Sequence, residues 1–176
     1  PGFQRYKMHT LKDFHYLGER IYMKRNKIKI LYTIQPKAGN AQKKAIFELL
    51  YNINKEKYEP FVLAYSSDPM LKKLENSGIK TNILSSVSLN VVRKIRAYLK
   101  DVRPDVIHTY GFHGLSRVLR AAEKEKIPVV YSGHEDYFLQ NSQKKSKGLL
   151  QQADKFLLKR VKKIVLSSRR IKKQME

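Results

Sequence analysis

Residues 103–135 read RPDVIHTYGFHGLSRVLRAAEKEKIPVVYSGHE and contain the clearest structural pattern of the chain. Val106 to Thr109 and Pro128 to Ser132 are short runs rich in β-forming residues, and Leu115 to Glu125 between them repeats its apolar residues at helical spacing. A strand, a helix and a second strand joined by short turns are typical of a βαβ unit, in which the two strands lie parallel.

The same alternation continues on both sides of this stretch. Four further strands are predicted, at Ile28 to Ile34, Phe61 to Tyr65, Ile79 to Leu84 and Ile164 to Leu166. Helices are predicted between them: after the turn at 35–40, from Asp68-Pro69 to Gly78, from a Ser88 cap to Arg103-Pro104, and from Leu149 to Arg160. A last basic stretch is also predicted to be helical. The sequence therefore predicts an α/β fold: a Rossmann-like, doubly wound parallel sheet of about six strands with right-handed crossovers.

Residues 1–26 lie outside this alternation. A helix is predicted there because one helical face carries Leu11, Phe14, Leu17 and Ile21. It is expected to pack on the sheet domain or on a membrane surface. We divide the chain into this N-terminal helical extension at 1–26 and a Rossmann-like domain at 27–176. A chain that begins at Pro1 and not at Met is expected to be part of a longer protein.

The composition limits the kind of protein. The 176 residues contain 37 Lys and Arg against 15 Asp and Glu, a net charge of +22, which implies a polyanionic partner. Because 41% of the residues are hydrophobic, the chain is expected to fold. The absence of cysteine excludes a disulfide scaffold, thiolate zinc sites and a cysteine nucleophile. No stretch approaches the roughly 20 apolar residues of a membrane span, and no signal peptide is visible, so a cytoplasmic location is expected.

Ligands of an open parallel sheet bind beyond the carboxyl ends of its strands. After the first strand come Lys37, Gly39 and Asn40, where a glycine lets the backbone approach a ligand and a helix N-terminus offers N–H groups to an anion. A glycine that serves only a tight turn remains the alternative. The patterns G-x-G-x-x-G and G-x-x-x-x-G-K-[ST] are absent, so nothing supports a nicotinamide dehydrogenase or a P-loop protein.

Polar residues also follow the fourth and fifth strands. The candidate ligand-binding residues there are His108, Tyr110, Gly111, His134, Glu135 and Asp136. A histidine at this edge can bond a ligand hydroxyl or transfer a proton near neutral pH. His108 could instead be a hydrogen-bonded residue at a strand end, and His113 an exposed loop residue. We expect no metal, because the histidines lack the spacing of a zinc protease; without a G-x-S-x-G motif, a serine hydrolase is unsupported.

These segments, in this order, resemble the N-terminal domain of retaining glycosyltransferases of family 4, which have the GT-B fold. The resemblance covers about Lys27 to Glu176. It rests on the strand, Gly-Asn turn and helix of 29–50, and on four short segments: RPDVIHTYG at 103–111, IPVVYSGHE at 127–135, ADK at 153–155 and KIVLSS at 163–168.

The resemblance implies that this domain binds mainly the acceptor, while a second Rossmann-like domain with an E-x7-E motif binds the nucleotide-sugar. By this resemblance, Gly39 and Asn40 lie by the donor phosphates and the acceptor, and His134 lies beside the transferred sugar as the catalytic residue. Tyr110 stands where the family often has a second histidine. No cofactor is expected, since the nucleotide-sugar is a substrate. The chain ends before the donor-binding domain and is expected to be nearly inactive alone.

The charge is concentrated in two regions. Residues 137–176 are strongly basic, and one helix carries a basic stripe formed by Arg93, Arg96, Lys100 and Arg103. Such a stripe could follow phosphates, lie on anionic lipid, or simply be solvated surface. Glycosyltransferases of this type often act at a membrane on lipid-linked acceptors, which favours anionic lipid.

The sequence thus predicts the acceptor-binding half of a nucleotide-sugar-dependent glycosyltransferase. Its acceptor is expected to be a glycan or a lipid-linked molecule of polysaccharide or lipopolysaccharide biosynthesis, at the inner face of the membrane. The alternative is a non-catalytic, basic Rossmann-like module that binds nucleic acid or a protein partner. No known nucleic-acid-binding motif supports the alternative.

Overall fold

A computed structural model describes residues 27–34, 40–84, 90–111, 114–133 and 156–166. Its strands are β1 (Ile28–Ile34), β2 (Tyr58–Ala64), β3 (Lys80–Ile83), β4 (Val106–Tyr110), β5 (Val129–Gly133) and β6 (Lys163–Leu166). Its helices are α1 (Asn40–Tyr51), α2 (Pro69–Asn76), α3 (Val91–Val102) and α4 (Leu115–Lys124). Residues 156–159 are also helical. The predicted N-terminal helix, the start of the helix predicted from Leu149 and the last basic stretch lie outside the described residues.

The six strands form one sheet in the order β3-β2-β1-β4-β5-β6, and every neighbouring pair is parallel. This is the strand order of a doubly wound Rossmann sheet. The predicted fold class is therefore confirmed. The order reverses at β1, which pairs with β2 on one side and with β4 on the other.

Both faces of the sheet are covered, which explains the nearly continuous apolar sequence of β1. Ile30 and Tyr32 belong to a buried cluster with residues of α1 and α2. Leu31 points to the opposite face and belongs to a second cluster, with residues of α3, α4 and the helical turn at 156–159. The sheet is thus the middle layer of three.

Two elements start at least two residues away from the position that the sequence predicts, and most other ends agree to within one residue. The predicted Ser88 cap is wrong, because α3 begins at Val91 with Asn90 in the N-cap position. β2 begins at Tyr58, three residues before the predicted start, because its pairing with β1 extends from Ile28 opposite Tyr58. Pro60 is tolerated inside this strand because the pairing of β2 with β3 starts only at Phe61, one residue after the proline.

The predicted limits of α2 are confirmed by their local chemistry. Asp68 caps the helix, with its Oδ1 accepting the Met70 N–H at 3.0 Å, and Pro69 occupies the first turn. After the helix, Gly78 adopts a left-handed conformation with φ 82°. Its N–H and that of Ile79 bond back to Glu75 and Leu74, the hydrogen-bond pattern that ends many helices at a glycine.

None of the helices in the described part of the chain combines the length and the hydrophobicity that a membrane crossing requires.

Candidate functional site

The reversal of strand order places the expected ligand crevice between β1 and β4. β5 lies on the other side of β4, so the ends of the three strands that precede the predicted ligand loops are neighbours. The sheet therefore brings together the three chain positions from which those loops start. Of the loop residues, Lys37, Gly39, His134, Glu135 and Asp136 lie outside the described residues, and so does His113. Their ligand contacts remain predictions.

His108 and Tyr110, on β4, share one hydrogen-bonding partner on β5. His108 Nε2 lies 2.7 Å from the Ser132 Oγ. Burial raises the pKa of Tyr110 to about 12, and a hydrogen bond with Ser132 opposes that rise. Tyr110 is therefore neutral near pH 7 and can donate or accept a hydrogen bond, but it cannot act as a base there. Each of the two residues is only 7% exposed, so little of either is open to a ligand. Their contact with a ligand remains a prediction.

Aromatic rings pack around the imidazole of His108. The Tyr110 ring is stacked on it with centroids 4.5 Å apart, and the Tyr32 ring is tilted against it at 5.4 Å. Tyr32 reaches this place because it pairs directly with His108 across β1 and β4. Burial raises the pKa of Tyr32, and the neighbouring phenols of Tyr110 and Tyr58 add to the rise. These contacts form a closed polar cluster of Tyr32, His108, Tyr110 and Ser132.

Gly111 lets the chain leave β4. Its φ of 79° lies in the left-handed region that glycine adopts without strain, and Gly114, before α4, has a φ of 89°. The Gly111 N–H donates to the Ser132 carbonyl at 3.3 Å, which extends the contact between β4 and β5 beyond the last paired residues. Gly111 thus fixes the direction of the loop after β4, while its predicted ligand contact remains untested.

At the end of β1, α1 begins at Asn40 and has no acidic residue in its first turn. The positive end of its dipole is therefore not neutralised from within that turn. Lys43, near the start of α1, donates to Asp68 Oδ2 at 2.7 Å, and both side chains are about three-quarters buried. The pKa of Asp68 is lowered, mainly by this hydrogen bond and further by that from Met70. The pair joins the starts of α1 and α2 beside the predicted glycine turn.

Comparison with known families identifies the chain. The family model described as Glycosyltransferase Family 4 matches residues 44–176. This chain belongs to glycosyltransferase family 4. No curated protein sequence matches it significantly.

Solved glycosyltransferases have a similar fold. A glycosyltransferase from Rickettsia africae superimposes with a TM-score of 0.64 at 17% identity, covering 86% of this chain and 39% of that one. Anabaena HepE, solved with UDP and glucose, gives a TM-score of 0.66 at 13% identity and covers 84% of this chain and 40% of HepE. The lipopolysaccharide outer core galactosyltransferase WaaB gives 0.52 at 17% identity, covering 85% and 41%. The family 4 chain thus spans about two fifths of the length of these structures.

Of the four basic residues of the predicted stripe, three are exposed and one is engaged in an ion pair. Arg93, Lys100 and Arg103 are exposed on or just after α3. Arg96 instead bonds to Glu125, whose Oε1 lies 2.9 Å from both Nε and Nη2 of the guanidinium. Arg96 therefore ties α3 to the end of α4 and is not free to follow a phosphate chain. Contact of the other three with an anionic surface remains a prediction.

A depression of about 550 Å³ opens at the opposite edge of the sheet, before β4 and β5. Lys100 and Arg103 line it together with Lys126. Arg103 and Lys126 both have a positive φ, of 50° and 57°, because each follows the last turn of a helix. The depression lies across the sheet from the carboxyl ends of the strands, so it is separate from the predicted ligand site.

Within the described ranges, no three His, Asp or Glu side chains lie close enough together to hold a metal ion.

The sequence did not indicate two members of the polar cluster. Tyr32 looked like one more residue of an apolar strand, and Ser132 like the last residue of another. Only the register, which pairs Tyr32 with His108 and Tyr110 with Ser132, brings the four side chains together. The available signal was weak: Ser132 stands two residues before His134, the histidine already singled out.

Proposed function

We propose that this chain is the acceptor-binding half of a retaining glycosyltransferase. The enzyme moves a sugar from a nucleotide-sugar to a glycan or a lipid-linked acceptor. The observation that carries the proposal is the match of the family 4 model to residues 44–176. The fold supports it, because β1 and β4 flank the switch point of the sheet and β5 lies next to β4, so the three strands that precede the predicted ligand loops are neighbours.

In this proposal the donor is held mainly by a second domain, which carries the E-x7-E motif. The similar structure of HepE has been solved with UDP-glucose, which supports a nucleotide-sugar as donor. On this chain, Gly39, Asn40 and Lys37 meet the donor phosphates and the acceptor at the start of α1. The absence of an acidic residue in the first turn of α1 favours an anion at that place.

His134 is the proposed catalytic residue, beside the transferred sugar. Glu135, Asp136, Gly111, His108 and Tyr110 complete the proposed acceptor side. The enzyme uses neither a metal ion nor an organic cofactor in this scheme, because positioned side chains and backbone N–H groups meet the donor. Treatment with EDTA is therefore expected to leave transfer unchanged.

The proposed place of action is a membrane face. The helices α3 and α4 contain seven basic and two acidic residues, against four basic and two acidic residues in α1 and α2. One layer of the domain is thus more basic than the other, as expected for a protein that presents one side to anionic lipid. The similarity to WaaB, a lipopolysaccharide outer core galactosyltransferase, is consistent with an acceptor of envelope biosynthesis.

The test uses the full-length enzyme that contains this chain, with a panel of nucleotide-sugars and an envelope lipid extract as acceptor. Transfer with retained anomeric configuration is expected, measured by NMR of the product. His134→Ala is expected to lower turnover by about 100-fold or more while the thermal transition is unchanged. The exposed variant Asn52→Ala serves as the control. Unchanged turnover in His134→Ala would remove this histidine from the mechanism, and inverted products would exclude retention.

A further inference from the structure

Ser132 is held from three directions at the end of β5. Its Oγ lies 2.7 Å from His108 Nε2 and bonds to Tyr110, and its carbonyl accepts the N–H of Gly111 at 3.3 Å. Only Gly133 of the strand follows it. A hydroxyl can donate one hydrogen bond and accept two, so one serine can bond both rings at once.

The two rings that hold Ser132 have little freedom themselves. The imidazole of His108 is stacked on the Tyr110 ring and also packs against the Tyr32 ring. Ser132, like the two rings on β4, is more than nine-tenths buried. A close-packed ring can leave its rotamer only if its neighbours move, so the position of the serine hydroxyl is well defined.

Hydrogen bonding is not this complete on the opposite face of the sheet. The buried hydroxyls of Thr33, Tyr65 and Thr109 have no hydrogen-bond partner among the residues that the structure describes. Burying an unbonded hydroxyl costs stability, and the fold accepts that cost on the α3 and α4 side. Buried hydroxyls are therefore not always hydrogen-bonded near the carboxyl ends of these strands. The hydroxyl of Ser132, at the strand end that leads to His134, is hydrogen-bonded.

We propose that His108, Tyr110 and Ser132 form a positioning network for His134. The network fixes the end of β5 and with it the place from which the chain continues through Gly133 to His134. In this role the three residues act through the backbone of β5, because the hydrogen bonds that join them are buried. The acceptor contact proposed above for His108 and Tyr110 is a separate role. The importance of His134 for transfer rests on the proposed function, but its positioning can be measured without any transfer.

The test removes the shared hydroxyl with Ser132→Ala in the 176-residue chain. Two readouts follow His134: the titration of its imidazole by NMR, assigned with His134→Gln, and hydrogen exchange of the amides after Ser132. The matched control is Thr109→Val, which removes a buried hydroxyl at the same height of the sheet that bonds to none of the described residues. Ser132→Thr, which keeps a hydroxyl, tests rescue.

Ser132→Ala is expected to change the titration midpoint of His134 by about 0.3 pH unit or more. It should also speed amide exchange at Gly133 and His134 by about tenfold, because local opening becomes easier. Thr109→Val is expected to change neither, and Ser132→Thr to restore both. If Ser132→Ala alters the two readouts no more than Thr109→Val does, the proposal is wrong.

Should Ser132→Ala fail to fold, Tyr110→Phe decides the question, because it removes one hydrogen bond and keeps the ring. An unchanged His134 in that variant would equally overturn the proposal. In the full-length enzyme, Tyr110→Phe is expected to lower kcat with little effect on the donor KM or the acceptor KM. A raised acceptor KM with unchanged kcat would instead indicate a direct contact of Tyr110 with the acceptor. If Tyr110→Phe changes the titration and amide exchange of His134 but leaves kcat unchanged, His134 is not catalytic. The positioning network would still stand in that case.

Discussion

Thr33 and Thr109 face each other across β1 and β4 in the middle of the sheet, and both are almost completely buried. Neither hydroxyl has a hydrogen-bond partner among the described residues. A buried hydroxyl without a partner loses its bonds to water and gains none in return. The two buried hydroxyls therefore lower the free energy of unfolding.

Thr109→Val is expected to raise the free energy of unfolding by about 1 kcal/mol, because valine has the same shape and no hydroxyl to desolvate. The measurement is urea unfolding followed by circular dichroism. Thr81→Val is the control, since the Thr81 hydroxyl does bond, to Glu75, near the surface. Destabilisation of Thr109→Val by 1 kcal/mol or more (on the order of one lost bond) would mean that an ordered water or a residue outside the described ranges bonds this hydroxyl.

The ion pair between Lys43 and Asp68 predicts a pH-dependent stability. The pKa of folded Asp68 is lowered from its ordinary 3.8, so the charged carboxylate stabilises the fold above that pH. This contribution is lost as the pH falls through the folded pKa. Asp68→Asn keeps a good helix cap but loses the charge. It should lower stability at pH 7 by about 1 kcal/mol or less, and the deficit should shrink below pH 3.8.

Thermal unfolding across pH 2 to 8, about the range that native carboxylates titrate in, measures this difference. Glu48→Gln, which removes an exposed carboxylate from α1, is the control and should show no comparable pH dependence. A deficit of Asp68→Asn that is the same at low and neutral pH would contradict the role of the charge and point to the cap alone.

Arg96 and Glu125 predict an energetic coupling between α3 and α4. Glu125 is 18% exposed and Arg96 38%, so solvent screens the pair in part. A double-mutant cycle with Arg96→Gln and Glu125→Gln should give a coupling of about 0.5 to 1 kcal/mol, which decreases with added salt. Lys100→Gln with Glu125→Gln is the comparison cycle and should give none. Strict additivity in the first cycle would mean that the pair does not stabilise the helix packing.

The fold could be predicted from the sequence because its signals are local. The apolar run of β1, the Asp68-Pro69 cap and Gly78 each act within a few residues, and the structure confirms the elements they predict. Ser88 misled the prediction of α3 because serine is a good cap in isolation, while burial of Val91, Ile95 and Leu99 determines where this helix lies.

The contacts of the site could not be predicted in the same way, because they depend on register and on helix packing. Tyr32 and His108 are 76 residues apart in the chain and become neighbours only when β1 and β4 pair. Arg96 finds Glu125 across two packed helices, a distance of 29 residues. The sequence placed Arg96 on the basic face of α3, yet nothing in it showed that Glu125, just after the end of α4, would bind this residue.

The structure narrows the predicted membrane-binding surface to Arg93, Lys100 and Arg103, since Arg96 is engaged with Glu125. Each basic residue near an anionic bilayer contributes about 1 kcal/mol at ordinary ionic strength. Arg93→Glu with Lys100→Glu should therefore weaken binding to phosphatidylserine-containing vesicles by more than about tenfold, measured by co-sedimentation.

The matched control is Lys72→Glu with Lys73→Glu on α2, which reverses the same charge on the other layer and should weaken binding much less. Binding should fade with salt and be absent on neutral vesicles. Equal losses in both pairs would mean that net charge alone drives adsorption, and tight binding to an oligonucleotide with none to vesicles would favour the nucleic-acid module.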